Sequence, residues 1–125
     1  MAASLMGGET LLVVHPLQPV RHEVMAMVRP YGYRVLEATS ALHAQAQLKR
    51  HSAVRLLFME LPGLEFGGLQ AALWLAGLNP RLKVLLASAH IWNLYYQPGE
   101  FDQIAFCPTP FTASDLARLV RRTLD

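Results

Sequence analysis

The stretch Thr10–His15 reads TLLVVH, and every side chain from position 11 to position 14 is apolar. An uninterrupted apolar run of this length is typical of a strand covered on both faces, as in a parallel sheet between two layers of helices. Four further runs of strand length follow: Tyr33–Glu37, Val54–Met59 with Glu60 closing it, Leu82–Ser88 and Ile104–Cys107. The sequence therefore predicts five strands.

Helical patterns alternate with these strands. The first predicted helix has Pro19 in its first turn, an inward stripe at Val20, Val24, Met27 and Tyr31, and Gly32 as its end. The others run over about 41–51, over about 69–77 after a flexible loop with Gly63, Gly67 and Gly68, over Ile91–Gln97 as a short or irregular segment, and from a cap at Thr112 or Ser114 to the chain end. Strict alternation with right-handed crossovers predicts an α/β fold with a doubly wound parallel sheet.

The composition describes one domain without a marked charge. Of 125 residues, 53% are apolar and 16% are charged, against a typical charged share of about 25%, which excludes disorder. A net charge of +2, from 11 Lys+Arg and 9 Asp+Glu, is too balanced to indicate direct nucleic-acid binding. The single cysteine, Cys107, forms no internal disulfide, and the apolar run at the start is too short to span a membrane. We therefore expect a cytoplasmic chain, with residues 1–8 as a tail or linker and one domain over 9–125.

Four stretches resemble one known family. They are Glu9–Arg21 (ETLLVVHPLQPVR), Tyr31–Ala38 (YGYRVLEA), Asn79–Ser88 (NPRLKVLLAS) and Pro110–Asp125 (PFTASDLARLVRRTLD). In this order, with spacing that needs no gaps through Ser88, they make residues 9–125 similar to the receiver domain of two-component response regulators. The resemblance implies a flavodoxin-like (βα)5 fold, strand order 2-1-3-4-5 and a role in signalling.

The positions that carry the chemistry of that family hold other residues here. Receivers place an acidic pair after the first strand, where this chain has His15 and Pro16, and a lysine after the fifth, where it has Thr109. The hydroxyl position after the fourth strand is kept as Ser88, and the switch aromatic of the fifth strand is matched by Phe106. Two carboxylates and an acceptor aspartate would hold Mg²⁺, a hard ion that prefers oxygen ligands. The resemblance therefore implies a degenerate receiver with no metal and no cofactor.

Two registers compete for the acceptor position after the third strand. Counting back from Leu61-Pro62-Gly63 places Phe58 there, whereas the counts from the first strand and from Asn79-Pro80 place Glu60 there. We favour Glu60, and neither register supplies an aspartate. Glu60 is interpreted either as a mimic of the phosphorylated state, bonded to Ser88 or Thr109, or as a solvated strand-end glutamate.

Two groups of apolar residues are candidates for contacts with other chains. The predicted third helix (LQAALWLAGL, 69–78) lacks charged residues, so Leu73 and Trp74 are expected at an interface rather than folded onto the domain. The aromatic residues Trp92, Tyr95, Tyr96 and Phe101 form a second group, equally suited to docking or to packing a loop.

Three other features have plain interpretations beside their functional ones. His15 is a candidate metal ligand or proton switch, and more plainly a polar loop residue. Cys107 is expected to be a small buried side chain. Arg118, Arg121 and Arg122 are expected on a solvated face of the last helix.

The leading hypothesis is a non-enzymatic signalling module that cannot be phosphorylated. It would act by docking onto a histidine kinase or a regulator domain, or by forming a homodimer, with no direct contact to nucleic acid or membrane. One alternative is a receiver that binds a small molecule or senses pH at the altered pocket. Another is an enzyme or cofactor binder on a flavodoxin-like fold, although the loop after the first strand has no glycine to cradle a phosphate.

Overall fold

A computed structural model describes residues 4–60, 66–89 and 102–125, with the backbone alone at 66 and 67. The elements of this part are β1 (Thr10–Val14), α1 (Gln18–Val28), β2 (Arg34–Ala38), α2 (Ala41–Arg50), β3 (Val54–Glu60), α3 (Phe66–Gly77), β4 (Lys83–Ser88), β5 (Ile104–Pro108) and α4 (Ala113–Leu124). The five strands are all parallel and lie in the order β2-β1-β3-β4-β5, which confirms the predicted fold. The predicted helical segment Ile91–Gln97 lies outside the described residues.

The uninterrupted apolar strands are explained by two separate cores. Successive residues of a strand point to opposite faces of the sheet. In β1, Leu12 packs into a cluster on the side of α2 and α3, whereas Leu11 packs into a cluster on the side of α1 and α4. Leu86 and Leu85 of β4 are divided in the same way. Both faces of the central strands are therefore buried.

The buried face of the first helix is shifted from the predicted one. The buried side chains of α1 are Arg21, Val24, Met25 and Val28. Of the predicted apolar positions, Val24 is buried, and Met27 and Tyr31 are partly buried against the same cluster. The helix ends at Val28, and Arg29–Tyr31 forms a 3-10 turn. Pro30 has no amide hydrogen to continue the helical bonding. Gly32 then reverses the chain with a φ of 98°, where a side chain would be strained.

The starts of α3 and α4 can also be compared with the prediction. Gly67 and Gly68, predicted in a loop, lie in the first turn of α3, because two glycines cost a helix only about 1 kcal/mol each when good helix formers follow. The last helix is capped by Thr112: its hydroxyl accepts a hydrogen bond from the Asp115 amide, and the Asp115 carboxylate accepts one from the Thr112 amide.

Arg121 connects the start of the chain to the last helix. The prediction that it lies on a solvated face was wrong, because its side chain is only 17% exposed. Its guanidinium donates two hydrogen bonds to the Glu9 carboxylate, at 3.1 and 2.6 Å. It also donates to Tyr33 Oη (3.2 Å) and to Asp125 Oδ1 (2.8 Å). The bonds from Arg121 lower the pKa of Glu9 from its ordinary value of 4.5 to about 2. Close by, the amide of Gly7 donates to the carbonyl of Tyr31, so part of the expected tail contacts the domain.

We expect Arg121→Met to lower the free energy of unfolding by about 1–3 kcal/mol, because Glu9 would keep a half-buried charge without its partner. Arg118→Met is the matched control, since Arg118 is exposed and its loss should cost less than about 0.5 kcal/mol. Urea unfolding measures both. Equal losses in the two variants would contradict the role given to Arg121.

The same network predicts a pH dependence. Because the pKa of Glu9 is lower in the folded chain than in the unfolded one, the unfolded chain binds more protons below pH 4.5. The contribution of Glu9 is therefore complete above about pH 4.5 and is lost as the pH falls towards 2. Arg121→Met should reduce this acid-dependent loss.

Candidate functional site

The carboxyl edge of the sheet brings His15 and Glu60 together. Val14 at the end of β1 is in register with Met59 in β3, so the next residues of the two strands, His15 and Glu60, lie side by side. His15 Nε2 lies 3.2 Å from Glu60 Oε2, and the side chains are 15% and 33% exposed. Sequence reasoning named both residues but did not pair them, although adjacent β1 and β3 in the implied strand order would have indicated the contact.

The hydrogen bonds of His15 define which ring nitrogen carries the proton. Nδ1 lies 3.0 Å from the amide nitrogen of Leu17 and accepts its hydrogen bond. A neutral ring that accepts at Nδ1 carries its proton on Nε2, which then donates to Glu60. Protonating Nδ1 would set two donors against each other. Both ring nitrogens are therefore occupied by partners, so His15 could bind a metal only by breaking one of these contacts.

Arg21 holds the backbone of His15 in place and was not identified as a site residue from the sequence. Its guanidinium is buried and donates to the carbonyl of His15 (3.0 Å) and to Glu37 Oε1 in β2 (2.6 Å). The bond from Arg21 lowers the pKa of Glu37, and His22 at 3.2 Å contributes in the same direction. Arg21 thereby links α1, β2 and the end of β1. Its spacing of three and seven residues from Val24 and Val28 was the available signal.

The other predicted pocket residues surround this edge. Ser88 ends β4 and is buried, and its carbonyl accepts a hydrogen bond from the amide of Thr109 (3.2 Å). The peptide bond between Thr109 and Pro110 is cis. Phe106 is half-buried against the core on the α2 and α3 side. Within the part of the chain that the structure describes, the Glu60 carboxylate contacts His15 Nε2. The mimic interpretation, which requires a bond from Glu60 to Ser88 or Thr109, stays a prediction.

Phe58, the rival acceptor position, lies inside the core. Its side chain is buried, and its ring meets that of Phe111 edge to face, with centroids 5.9 Å apart. Glu60 is the last residue of β3 and stands at the edge.

A groove of about 420 Å³ opens beside Glu60, between α1 and the segment that leads into α4. Its lining residues are Val20, Glu23, Val24, Met27, Glu60, Ala89, Thr109, Pro110 and Phe111. Over residues 4–60, 66–89 and 102–125, no three His, Cys, Asp or Glu side chains are grouped so that they could hold a metal ion. The side chain of Pro16 has no ligand atom, and imidazole is a poor ligand for Mg²⁺. The side chains at this edge therefore do not fit the magnesium ion that receivers bind at these positions.

The third helix exposes an apolar strip. Ala72, Leu75 and Ala76 face the core, whereas Leu73, Trp74 and Leu78 are 37%, 43% and 44% exposed. We call these last three, with Gly77, the α3 strip. A Cβ added at Gly77 would meet nothing within 4 Å. The other interaction candidates, Trp92, Tyr95, Tyr96 and Phe101, lie outside the described residues.

Cys107 is fully buried in β5, as predicted. Burial raises the pKa of its thiol to about 11, so the sulfur stays protonated and unreactive near neutral pH.

No protein-family model matches the sequence, and none of the curated proteins matches it. None of the helices among the described residues is long and apolar enough to cross a membrane.

Several solved structures are similar to this chain. One is a response regulator receiver domain protein from Clostridium thermocellum, with a TM-score of 0.78, 14% identity and coverage of 93% of this chain and 94% of that one. A second is a probable two-component system response regulator/GGDEF domain protein, with a TM-score of 0.73 and 27% identity over 93% of this chain, which spans about half (49%) of its length. A third is the receiver domain of the hybrid histidine kinase CckA, with a TM-score of 0.65 and 25% identity over 93% of this chain and 99% of that one. The chain thus has the fold of response-regulator receiver domains, which supports the resemblance to the receiver family.

Proposed function

We propose that this chain is a receiver-like signalling module that accepts no phosphoryl group and acts through contacts with other proteins. The observation that carries the proposal is the contact between His15 and Glu60, which joins two of the positions that in receivers serve the metal and the phosphoryl group.

The charge at the edge of the sheet is the first support. A receiver pocket concentrates carboxylates that repel one another until a divalent cation neutralises them. Here the pocket positions hold one carboxylate, Glu60, and that carboxylate already accepts a hydrogen bond from His15. A magnesium ion would have to displace the imidazole and would gain no second carboxylate from Pro16. The resting pair is satisfied without a metal.

The missing cation at Thr109 is the second support. Phosphoryl transfer to a carboxylate spreads negative charge over the transferred oxygens, and catalysis depends on metal ions and cationic side chains that stabilise this charge. Thr109 supplies a hydroxyl in place of the family lysine. Glu60 is a carboxylate and could in principle attack the phosphorus of a phosphodonor, but its surroundings would not stabilise the transition state.

The α3 strip is the surface that we propose for contact with a second copy or with a protein partner. Gly77 has helical backbone angles, which cost about 0.5–1 kcal/mol relative to alanine, and its own chain leaves room for a Cβ. Nothing inside the domain therefore requires a glycine at this exposed position. The backbone of a second chain that packed closely against the helix would require one, because only glycine leaves space for it. With no charged side chain in α3, two copies of the strip could meet without charge repulsion.

Some of the similar structures belong to longer proteins, and this bears on the partner. The chain spans 49% of the response regulator/GGDEF domain protein and 26% of NtrX from Brucella abortus. We propose that a histidine kinase or a regulator domain, in the same or another polypeptide, receives the contact.

Incubation with acetyl phosphate and Mg²⁺ should leave the mass of the protein unchanged, because the pocket positions supply neither the carboxylates that would bind Mg²⁺ nor an acceptor aspartate. Intact-mass spectrometry measures the adduct, and two-dimensional NMR with beryllofluoride and Mg²⁺ should show no shifts at the carboxyl edge. An acyl phosphate on the folded wild-type chain would contradict the proposal.

The matched variant restores the family residues through His15→Asp, Pro16→Asp, Glu60→Asp and Thr109→Lys. We expect Mg²⁺-dependent shifts in this variant under the same conditions, since three carboxylates would then surround the ion. A wild-type chain that responds to Mg²⁺ as strongly as this variant would contradict the role given to His15 and Glu60.

If the α3 strip is a contact surface, Trp74→Glu should abolish any concentration-dependent increase in sedimentation coefficient, because a charge would be buried in the interface. Leu42→Glu is the control, since Leu42 is 73% exposed on α2 and outside the strip. A chain that is monomeric at all concentrations and loses no partner on Trp74→Glu would contradict this part of the proposal.

A further inference from the structure

Basic residues gather at the amino edge of the sheet, opposite His15 and Glu60, where two grooves also open. Six basic residues lie there on or beside β2, α2, β3 and β4: Arg34, Lys49, Arg50, Arg55, Arg81 and Lys83. We call them the amino-edge cations. All are exposed except Lys83, which is half-buried, and within the described residues none of the six forms an ion pair.

Stabilisation of the folded chain explains only some of these basic residues. Lys49 and Arg50 end α2, where cations suit the helix dipole. Arg34, Arg55 and Lys83 lie at the starts of strands, where no helix dipole favours them. Arg55 is the extra residue of a bulge, because Thr10 pairs with Val54 and Leu11 with Leu56. Bulges redirect a side chain at the cost of a regular ladder.

Among the described residues, the carboxylates near this edge are few and mostly engaged. Glu9 and Asp125 are bonded to Arg121, on the face of the sheet that α1 and α4 cover. Asp102 precedes β5, at the end of the sheet away from β2. The amino-edge cations thus leave a local positive charge that a net charge of +2 conceals.

Two adjoining grooves give this charge a shape. One of about 280 Å³ lies between the end of α2 and the end of α3 and is lined by Leu48, Val54 and Leu78 beside Lys49. The other, of about 370 Å³, lies beside β2 and is lined by Leu36 with Arg34 and Arg50. His51 and Ser52 line both. The aliphatic floors, with Arg34, Lys49 and Arg50 at their rims, extend along this edge from β2 to β3, a width of about 10 Å at roughly 4.8 Å per strand.

We propose that the amino edge binds an acidic amphipathic segment of a partner protein. Aliphatic side chains of the segment would enter the grooves, and its carboxylates would meet the guanidinium groups, which match carboxylates in geometry. A helix about 10 Å across fits the width. The aliphatic floors favour a peptide over nucleic acid, whose bases stack on aromatic side chains, and the concave shape favours it over a flat lipid surface. The inference goes beyond the proposed function, because it does not depend on phosphorylation and shares only Leu78 with the α3 strip.

The test uses a fluorescein-labelled helical peptide with leucine at spacings of three and four and glutamate elsewhere, and a counterpart with glutamine for each glutamate. Fluorescence anisotropy should show binding of the acidic peptide that weakens with added salt, and the glutamine peptide should bind about tenfold more weakly or worse. Arg34→Glu with Arg50→Glu should weaken binding by about tenfold or more. The control pair, Arg118→Glu with Arg122→Glu, lies on α4 and changes the net charge by the same amount. It should weaken peptide binding by less than about twofold.

Circular dichroism checks that each variant is folded, and Arg34→Gln with Arg50→Gln replaces the charge-reversed pair if that pair does not fold. No binding of the acidic peptide, or equal weakening by the α4 control, would overturn the inference. Tighter binding to a short DNA duplex or to phosphatidylglycerol vesicles would overturn it as well. None of these outcomes affects the phosphorylation result, so the two proposals fail separately.

Discussion

Both faces of the parallel sheet have to be covered by helices, and this constraint fixes the remainder of the structure. Leu11 and Leu12 are neighbours in β1, yet they pack into different cores. Two-sided burial leaves the strands little freedom to slip, because a shift of one residue would exchange the two faces. The register between β1 and β3 then brings His15 and Glu60 to the same edge. Their contact is a consequence of the fold and not of the local sequence.

At that edge, the charge and the hydrogen-bonding groups of Glu60 and His15 are satisfied by protein groups and need no metal ion. In a receiver pocket, several carboxylates repel one another until a cation binds. The pocket can therefore respond to the metal ion and the phosphoryl group. Here the Nε2–H of His15 satisfies Glu60, the amide of Leu17 satisfies Nδ1, and Arg21 holds the carbonyl of His15. The two ring nitrogens and the carbonyl of His15 thus each have a partner, as does one carboxylate oxygen of Glu60. We interpret the edge as a fixed arrangement in which binding surfaces elsewhere carry the function.

The sequence predicted the strands, the fold and the exposure of the α3 strip, because apolar periodicity and a helix without charge are local signals. It did not predict the phase of α1. A buried arginine breaks the apolar pattern that periodicity relies on, and the long stem of Arg21 takes a place in the core while its guanidinium bonds Glu37 and His15. The partner of Glu60 was also missed, since hydroxyls were considered by analogy with the family. Pairing across strands depends on register, which no short segment encodes.

The protonation of His15 is the most direct test of this account. Long-range proton–nitrogen NMR of the histidine side chains distinguishes the two tautomers and reports any ligand at the ring. The account predicts that the neutral His15 ring is the Nε2–H tautomer with Nδ1 accepting a hydrogen bond, and that excess Mg²⁺ leaves both nitrogen signals in place. A proton on Nδ1, or a displacement of the His15 signals by Mg²⁺ that Glu60→Gln removes, would contradict it.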